Sequence, residues 1–198
     1  MKLALLGGSL RPESLNGRLL GHLAREAEGR GYETVTFSGS ALAMPLYAEG
    51  LAAPPEARAA QQELLDARGL ILVSPEYNAG IPGHLKNAVD WLSTLKPSPW
   101  PGLPVLLCAA SPGAFGGARG LMAWRATLAN MGALALPEVL TVPHADQQLG
   151  AERARHAALG PRLELVQQLG VGKVLGHEAL QLGRAEGLEE VLHGSSRE

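Results

Sequence analysis

Gly7, Gly8, Ser9, Arg11, Ser14 and Asn16 crowd one short stretch between the apolar run 2–6 and a helical pattern that starts at Leu15. These residue types suit one task, the binding of an anion. Two glycines let the backbone approach a ligand closely and adopt dihedrals that side chains disfavour. Ser9, Ser14 and Asn16 bring neutral hydrogen-bond donors, and Arg11 brings a fixed charge on a planar fork that matches phosphate. The helix that follows adds its positive end. A phosphomonoester fits this set. A plainer reading of the same residues is a helix cap made by Ser14 and Asn16 beside a solvated Arg11, and the stretch alone does not decide between the two. It does exclude others: no Gly-Lys-Ser/Thr follows, GxGxxG is absent, and no cysteine nucleophile precedes Arg11.

Two further turns have a similar make-up. They are Ser74-Pro75-Glu76-Tyr77-Asn78-Ala79-Gly80 and Ser111-Pro112-Gly113-Ala114-Phe115-Gly116-Gly117, and each directly follows an apolar run. In an open α/β sheet, ligands bind outside the carboxyl ends of the strands. All three turns are therefore placed to meet one ligand. In the second, Asn78 and Gly80 both tolerate left-handed dihedrals, which turns backbone donors outward.

The elements that must position these turns alternate. Strands are predicted at 2–6, 34–37, 70–73, 104–109 and 133–142, the last interrupted at Pro137. Helices are predicted at 15–29, from Pro54-Pro55 to Arg68, at about 83–95, at 117–131 and at 150–169. This rhythm argues for a doubly wound parallel sheet with right-handed crossovers. After Gly170, glycines 172, 176, 183 and 187 interrupt any long helix while apolar residues persist. The reading is a domain over 1–169 and an extension over 170–198 that forms short helical pieces or is partly disordered.

Bulk properties narrow the function classes. The chain has 198 residues, 46% of them hydrophobic, and a formal net charge of −2, which gives no reason to expect nucleic acid or an anionic membrane as partner. No apolar stretch approaches the length of a membrane span, and no leader is recognisable, so a cytoplasmic location is the expectation. The single cysteine, Cys108, sits in an apolar run and reads as a buried thiol. The six histidines show no metal-ligand spacing; His84 and His144 read as surface or helix-start residues, with contact to a substrate or an interface as the other reading. Lys86 and Asp90, four apart, suit a helical ion pair or a packing contact. Tyr77, Trp100 and Trp124 are candidates to pack near a ligand, whereas Trp91 shares a helical face with Ala88 and Leu95.

Together the three turns resemble the NADPH-dependent FMN reductase family, which includes flavin, quinone, azo-dye and chromate reductases. Its GSxRxxSxN signature is complete as Gly8, Ser9, Arg11, Ser14 and Asn16. Its PEYN signature stands at Pro75-Glu76-Tyr77-Asn78, with Pro82-Gly83 and then Leu85-Lys86-Asn87-Ala88, Asp90, Trp91 and Leu92 behind it. The third turn matches as Ser111, Gly113, Gly116 and Gly117, and the resemblance covers roughly residues 2–169.

The resemblance implies a flavodoxin-like three-layer sandwich with a five-stranded parallel sheet in the order 2-1-3-4-5. It implies that Ser9, Arg11, Ser14, Leu15 and Asn16 hold the FMN phosphate. Pro75, Glu76, Tyr77 and Asn78 would contact the isoalloxazine ring, with Ser111, Gly113, Gly116 and Gly117 at its other edge. NADPH or NADH would be the electron donor, a soluble small molecule the acceptor, and the order ping-pong, with no metal and no protein nucleophile. It also implies a homodimer or homotetramer, with Arg119 and Glu138 as polar interface residues. A flavodoxin-type electron carrier is the alternative; the charge of −2 and the arginine in the first turn disfavour it.

Overall fold

A computed structural model describes residues 1–11 and 13–149. Five parallel strands are joined by helices: β1 (Lys2–Gly7), α1 (Leu15–Gly29), β2 (Glu33–Phe37), α2 (Pro55–Asp66), β3 (Gly69–Val73), α3 (Gly83–Thr94), β4 (Pro104–Ala110), α4 (Ala118–Asn130), β5 (Leu134–Val142) and α5 (Ala145–Gln148). A 3₁₀ turn at Gly39–Leu42, which periodicity did not reveal, follows β2. The helix expected at 150–169 and the extension 170–198 lie outside the described residues.

The sheet order is β2-β1-β3-β4-β5, the flavodoxin-like order that the motifs implied. Strand residues alternate between two cores. Ala4, Leu6, Leu70, Leu72, Val105 and Leu107 face one core together with buried residues of α2, α3 and α4. Leu3, Leu5, Ile71, Val73, Leu106 and Cys108 face the other, beneath α1 and Ala145. Every residue of β3 and β4 is buried, which is why these strands read as unbroken apolar runs.

Local chemistry accounts for the element ends. Ser14 caps α1, its hydroxyl accepting from the Gly17 amide at 2.9 Å. Pro55 stands in the first turn of α2, where its missing N–H costs nothing. Pro137 does not interrupt β5. The register shifts there, Val105 pairing with Ala135 and Leu107 with Val139, so that Leu106 faces Leu136, Pro137 and Glu138. This bulge accommodates a residue that cannot donate to the ladder.

The LKNAxDWL segment is an anchor for the loop after β2. Asn87 accepts from the Tyr47 amide at 2.7 Å and donates to the Met44 and Pro45 carbonyls, and the Trp91 indole N–H donates to Pro45 at 2.7 Å. Tyr47 meets the Trp91 ring edge-on at 5.1 Å. Trp100 and Trp124 are fully buried in the core against α3 and α4. Lys86 and Asp90 form the i, i+4 ion pair at 2.5 Å.

Candidate functional site

The chain reverses its direction of travel across the sheet between β1 and β3, and a ligand crevice is expected outside the strand ends there. β1, β3 and β4 deliver the three turns to this edge. Between them lies a cleft of about 200 Å³ lined by Ser9, Arg11, Ser14, Leu15, Asn16, Pro75, Glu76, Tyr77, Ala110, Ser111 and Pro112.

The first turn leaves β1 through Gly7 and Gly8, both with positive φ. A Cβ on Gly7 would lie 1.9 Å from the Val73 carbonyl oxygen, so only glycine lets β1 and β3 close together here. The Gly8 amide donates to that same carbonyl at 2.8 Å. Ser9 is nearly buried and accepts from the Arg11 amide at 3.2 Å, leaving its hydroxyl hydrogen free to donate. Among the described residues the amides of Leu15 and Asn16, at the start of α1, have no acceptor, and both residues line the cleft. Neighbouring charges are already paired, Arg18 with Glu13 at 3.3 Å and Arg119 with Glu76 at 2.6 Å. Among the described residues, the Arg11 side chain is the cation at the cleft that has no protein partner.

Asn16 does different work from that read in the sequence. Its carboxamide is turned to the end of β4, Nδ2 donating to the Ala110 carbonyl at 2.8 Å and Oδ1 accepting from the Ala110 amide at 2.9 Å. Its main offering to the cleft is therefore its backbone N–H.

The second turn is a tight two-residue hairpin. The Tyr77 amide donates to the Gly80 carbonyl at 3.2 Å, and the Gly80 amide to the Tyr77 carbonyl at 2.9 Å. Its left-handed residues are Asn78 (φ 50) and Ala79 (φ 60), not Asn78 and Gly80 as the sequence suggested. A turn of this mirror-image type demands positive φ at both central positions, and Ala79 adopts it against its own preference. Tyr77 is half-exposed at the cleft wall. Asn78 is exposed at the tip and does not line the cleft.

Glu76 is a clasp between the second turn and the start of α4, just after the third turn. Its carboxylate accepts from the Gly120 amide at 3.1 Å and from Arg119 Nε at 2.9 Å, while the Arg119 guanidinium stands 5.8 Å over the Phe115 ring. Burial pushes this carboxyl upward, but Arg119 and the Gly120 amide outweigh burial and hold it below the usual carboxylate range. Arg119, implied as an interface residue, is thus engaged within its own chain, and Glu138 is exposed.

The third turn contributes Ser111 and Pro112 to the cleft, and Ala110 just before them, two positions that no motif letter had marked. Gly113, Gly116 and Gly117 stand back from it. A Cβ on Gly116 would come within 2.9 Å of the Pro143 nitrogen, and one on Gly117 within 2.7 Å of the Ala109 Cβ. These two glycines, at φ 59 and φ 90, seat the turn on β4 and β5. Burial pushes the Cys108 thiol well up, as suits an inert core residue. Among the described residues there is no cluster that could hold a metal ion and no helix long and apolar enough to cross a membrane.

These features fit a flavin mononucleotide. A free guanidinium, two uncommitted helix amides and two serine hydroxyls stand where a phosphate requires donors. At about 200 Å³ the cleft is smaller than the roughly 300–1,000 Å³ that encloses a whole ligand of this size, so part of the ring would lie outside it, beside Tyr77.

A family model described as NADPH-dependent FMN reductase matches residues 1–147, a span that contains all three turns. A quinone reductase of Escherichia coli strain K12 is 40% identical over 125 residues, 60% of this chain and 64% of the relative, so the match spans just under two thirds of that protein. Among solved structures, the flavoenzyme NAD(P)H:(acceptor) oxidoreductase FerB from Paracoccus denitrificans superposes with a TM-score of 0.69 at 27% identity, over 90% of this chain and 97% of that one. A mutant flavodoxin from Pseudomonas aeruginosa superposes with a TM-score of 0.57 at 18% identity, over 87% of this chain and the whole of that one, a likeness of fold alone.

Proposed function

The chain belongs to the NADPH-dependent FMN reductase family, and from that footing we propose that it passes electrons from NAD(P)H, through bound FMN, to small soluble acceptors. The observation that carries this reading is the uncommitted Arg11 guanidinium beside the free amides of α1, at the crevice between β1 and β3.

When bound, FMN supplies hydride acceptance and onward electron transfer; binding, orientation and tuning are the protein's work. Arg11, Ser9, Ser14 and the amides of Leu15 and Asn16 neutralise and hydrogen-bond the phosphate. Pro75, Glu76 and Tyr77 support the ring on one side, with Ser111 and Pro112 at its other edge. Among the described residues the amides of Asn78 and Ala79 have no acceptor, and these donors at the hairpin tip favour negative charge on a ring placed beside them. The Asn78 side chain, Gly113, Gly116 and Gly117 serve by shaping the turns that carry these contacts.

The open side of the cleft gives nicotinamide and acceptor one shared approach, so the first product leaves before the acceptor enters. This is ping-pong order. Quinones head the acceptors, since a quinone reductase is the relative named above; flavins, azo compounds and metal oxyanions are the other classes to test. A cytoplasmic location, where reduced nicotinamides are supplied, and a homodimer or homotetramer complete the reading.

The deciding experiment is an anaerobic NADPH titration of the FMN-loaded protein, followed by reoxidation with a panel of acceptors. Bleaching by one equivalent of NADPH and parallel double-reciprocal plots with a quinone are expected. A yellow protein inert to NADPH and NADH would overturn the reductase in favour of a flavodoxin-type carrier. Failure to bind FMN at all would overturn both.

A further inference from the structure

His84 is the second residue of α3, two positions inside the Pro82 cap, where a helix start disfavours a cation and any small polar residue would serve. The imidazole is only partly exposed. Its Nε2 is buried and has no partner among the described residues. Its ring lies 6.2 Å from the Tyr77 ring, inclined at 56°. The backbone of Gly8 also faces it and favours its charged form; burial opposes this more strongly and keeps the imidazole below its usual range, hence neutral at neutral pH. A buried nitrogen without a protein partner is uncommon and calls for a reason.

Gly8 opens the turn that carries Ser9 and Arg11, and Tyr77, from the second turn, lines the same cleft. His84 does not itself line the cleft, yet it abuts both turns. Its ring packs against Tyr77 and faces the Gly8 backbone, so it stands between the two segments whose separation must match the span from a phosphate to a ring. Side chains behind a site hold its contact residues to within about 0.5 Å, and looseness there appears in ligand affinity before it appears in stability.

We propose that His84 is a positioning residue of the cofactor site, a strut that sets the Gly8 turn and Tyr77 at the separation FMN requires. The inference rests on the FMN reading above and goes beyond the motif residues, since none of the three turns contains His84.

The test is FMN affinity of the apo-protein, followed by quenching of flavin fluorescence, with urea unfolding of the same apo samples as the control. H84A is expected to weaken FMN about tenfold with little change in the urea midpoint, and H84Q, which keeps an N–H and a lone pair at similar reach, to recover to within about threefold of wild type. Because both changes remove one contact, the losses of H84A and Y77A should combine to less than their product. The absorption band of bound FMN should shift in H84A and return in H84Q. Should H84A not fold, H84L, which fills the space without a nitrogen, is expected to lose at least about threefold. H84A binding within twofold of wild type, or losses that multiply with those of Y77A, would overturn the strut and leave His84 a helix-start residue. Wild-type protein that binds no FMN overturns the cofactor reading and this inference with it; wild-type binding beside an unaffected H84A overturns this inference alone.

Discussion

Asn16 and Ala110, 94 residues apart in the chain, exchange two hydrogen bonds of 2.8 and 2.9 Å, the Asn16 carboxamide pairing with the Ala110 backbone as a strand neighbour would. The pair fastens the start of α1 to the end of β4 and so holds the first turn against the third. Removing it by Asn16→Ala leaves a buried amide and carbonyl of Ala110 without partners, and a loss of about 2–4 kcal/mol in urea unfolding is expected. Asn16→Asp should not restore stability, because a carboxylate accepts from the Ala110 amide but cannot donate to its carbonyl.

The Glu76 clasp is expected to show a pH signature. Its carboxyl is held below the usual range by Arg119 and the Gly120 amide against the opposing push of burial. A folded-state value below the unfolded one means stability that is present above the unfolded value, near 4.5, and lost as pH falls through the folded one. At pH 7 Glu76→Gln should therefore cost about 1–2 kcal/mol, and the gap between variant and wild type should close in unfolding curves taken progressively below pH 4.5. A gap that is constant down to pH 3 would remove the ion pair as its cause.

Arg11 offers the opposite contrast, between binding and folding. Its side chain is exposed and unpaired among the described residues, so Arg11→Ala should leave the unfolding midpoint of the apo-protein unchanged. The same change should weaken FMN by about 1–3 kcal/mol, the scale of a charge-assisted hydrogen bond. Arg11→Lys should recover only part of this, since a point charge replaces a fork. Equilibrium dialysis of wild type and both variants decides the matter, and equal FMN affinity in all three would take Arg11 out of the phosphate contact.

Ala79 sits at φ 60 in a turn that favours glycine at this position. Relief of that strain by Ala79→Gly should stabilise the protein by up to about 1 kcal/mol, offset in part by the greater freedom of glycine when unfolded. Thermal unfolding checks the sign. A destabilised variant would mean that the methyl group makes a packing contact outweighing the strain.

Gly117 should be intolerant of change. At φ 90, with a Cβ position 2.7 Å from that of Ala109, it meets both a backbone and a packing objection. Gly117→Ala is expected to cost about 2–4 kcal/mol, measured by urea unfolding. A neutral substitution would show that the third turn shifts readily on β4.

Much of this protein is legible along the chain, because it is written in short-range patterns. Apolar runs and 3.6-residue spacing located β1 to β4 and α1 to α4 to within a few residues, and the three turns declared themselves by glycine, serine and proline directly after strands. Those signals depend only on backbone preferences and on burial of one face, both properties of neighbouring residues. What tertiary structure alone decided is every pairing across elements: Asn16 with Ala110, Glu76 with Gly120, Trp91 with Pro45, and His84 between Gly8 and Tyr77. It also decided that Ala79 takes the left-handed position, that Pro137 sits in a bulge, and that Trp100 and Trp124 fill the core and do not line the cleft. The physical reason is common to them all. A hydrogen bond, an aromatic contact or a strained dihedral at these places owes its energy to distance and burial among residues remote in sequence, and neither quantity exists until the sheet has brought the turns together.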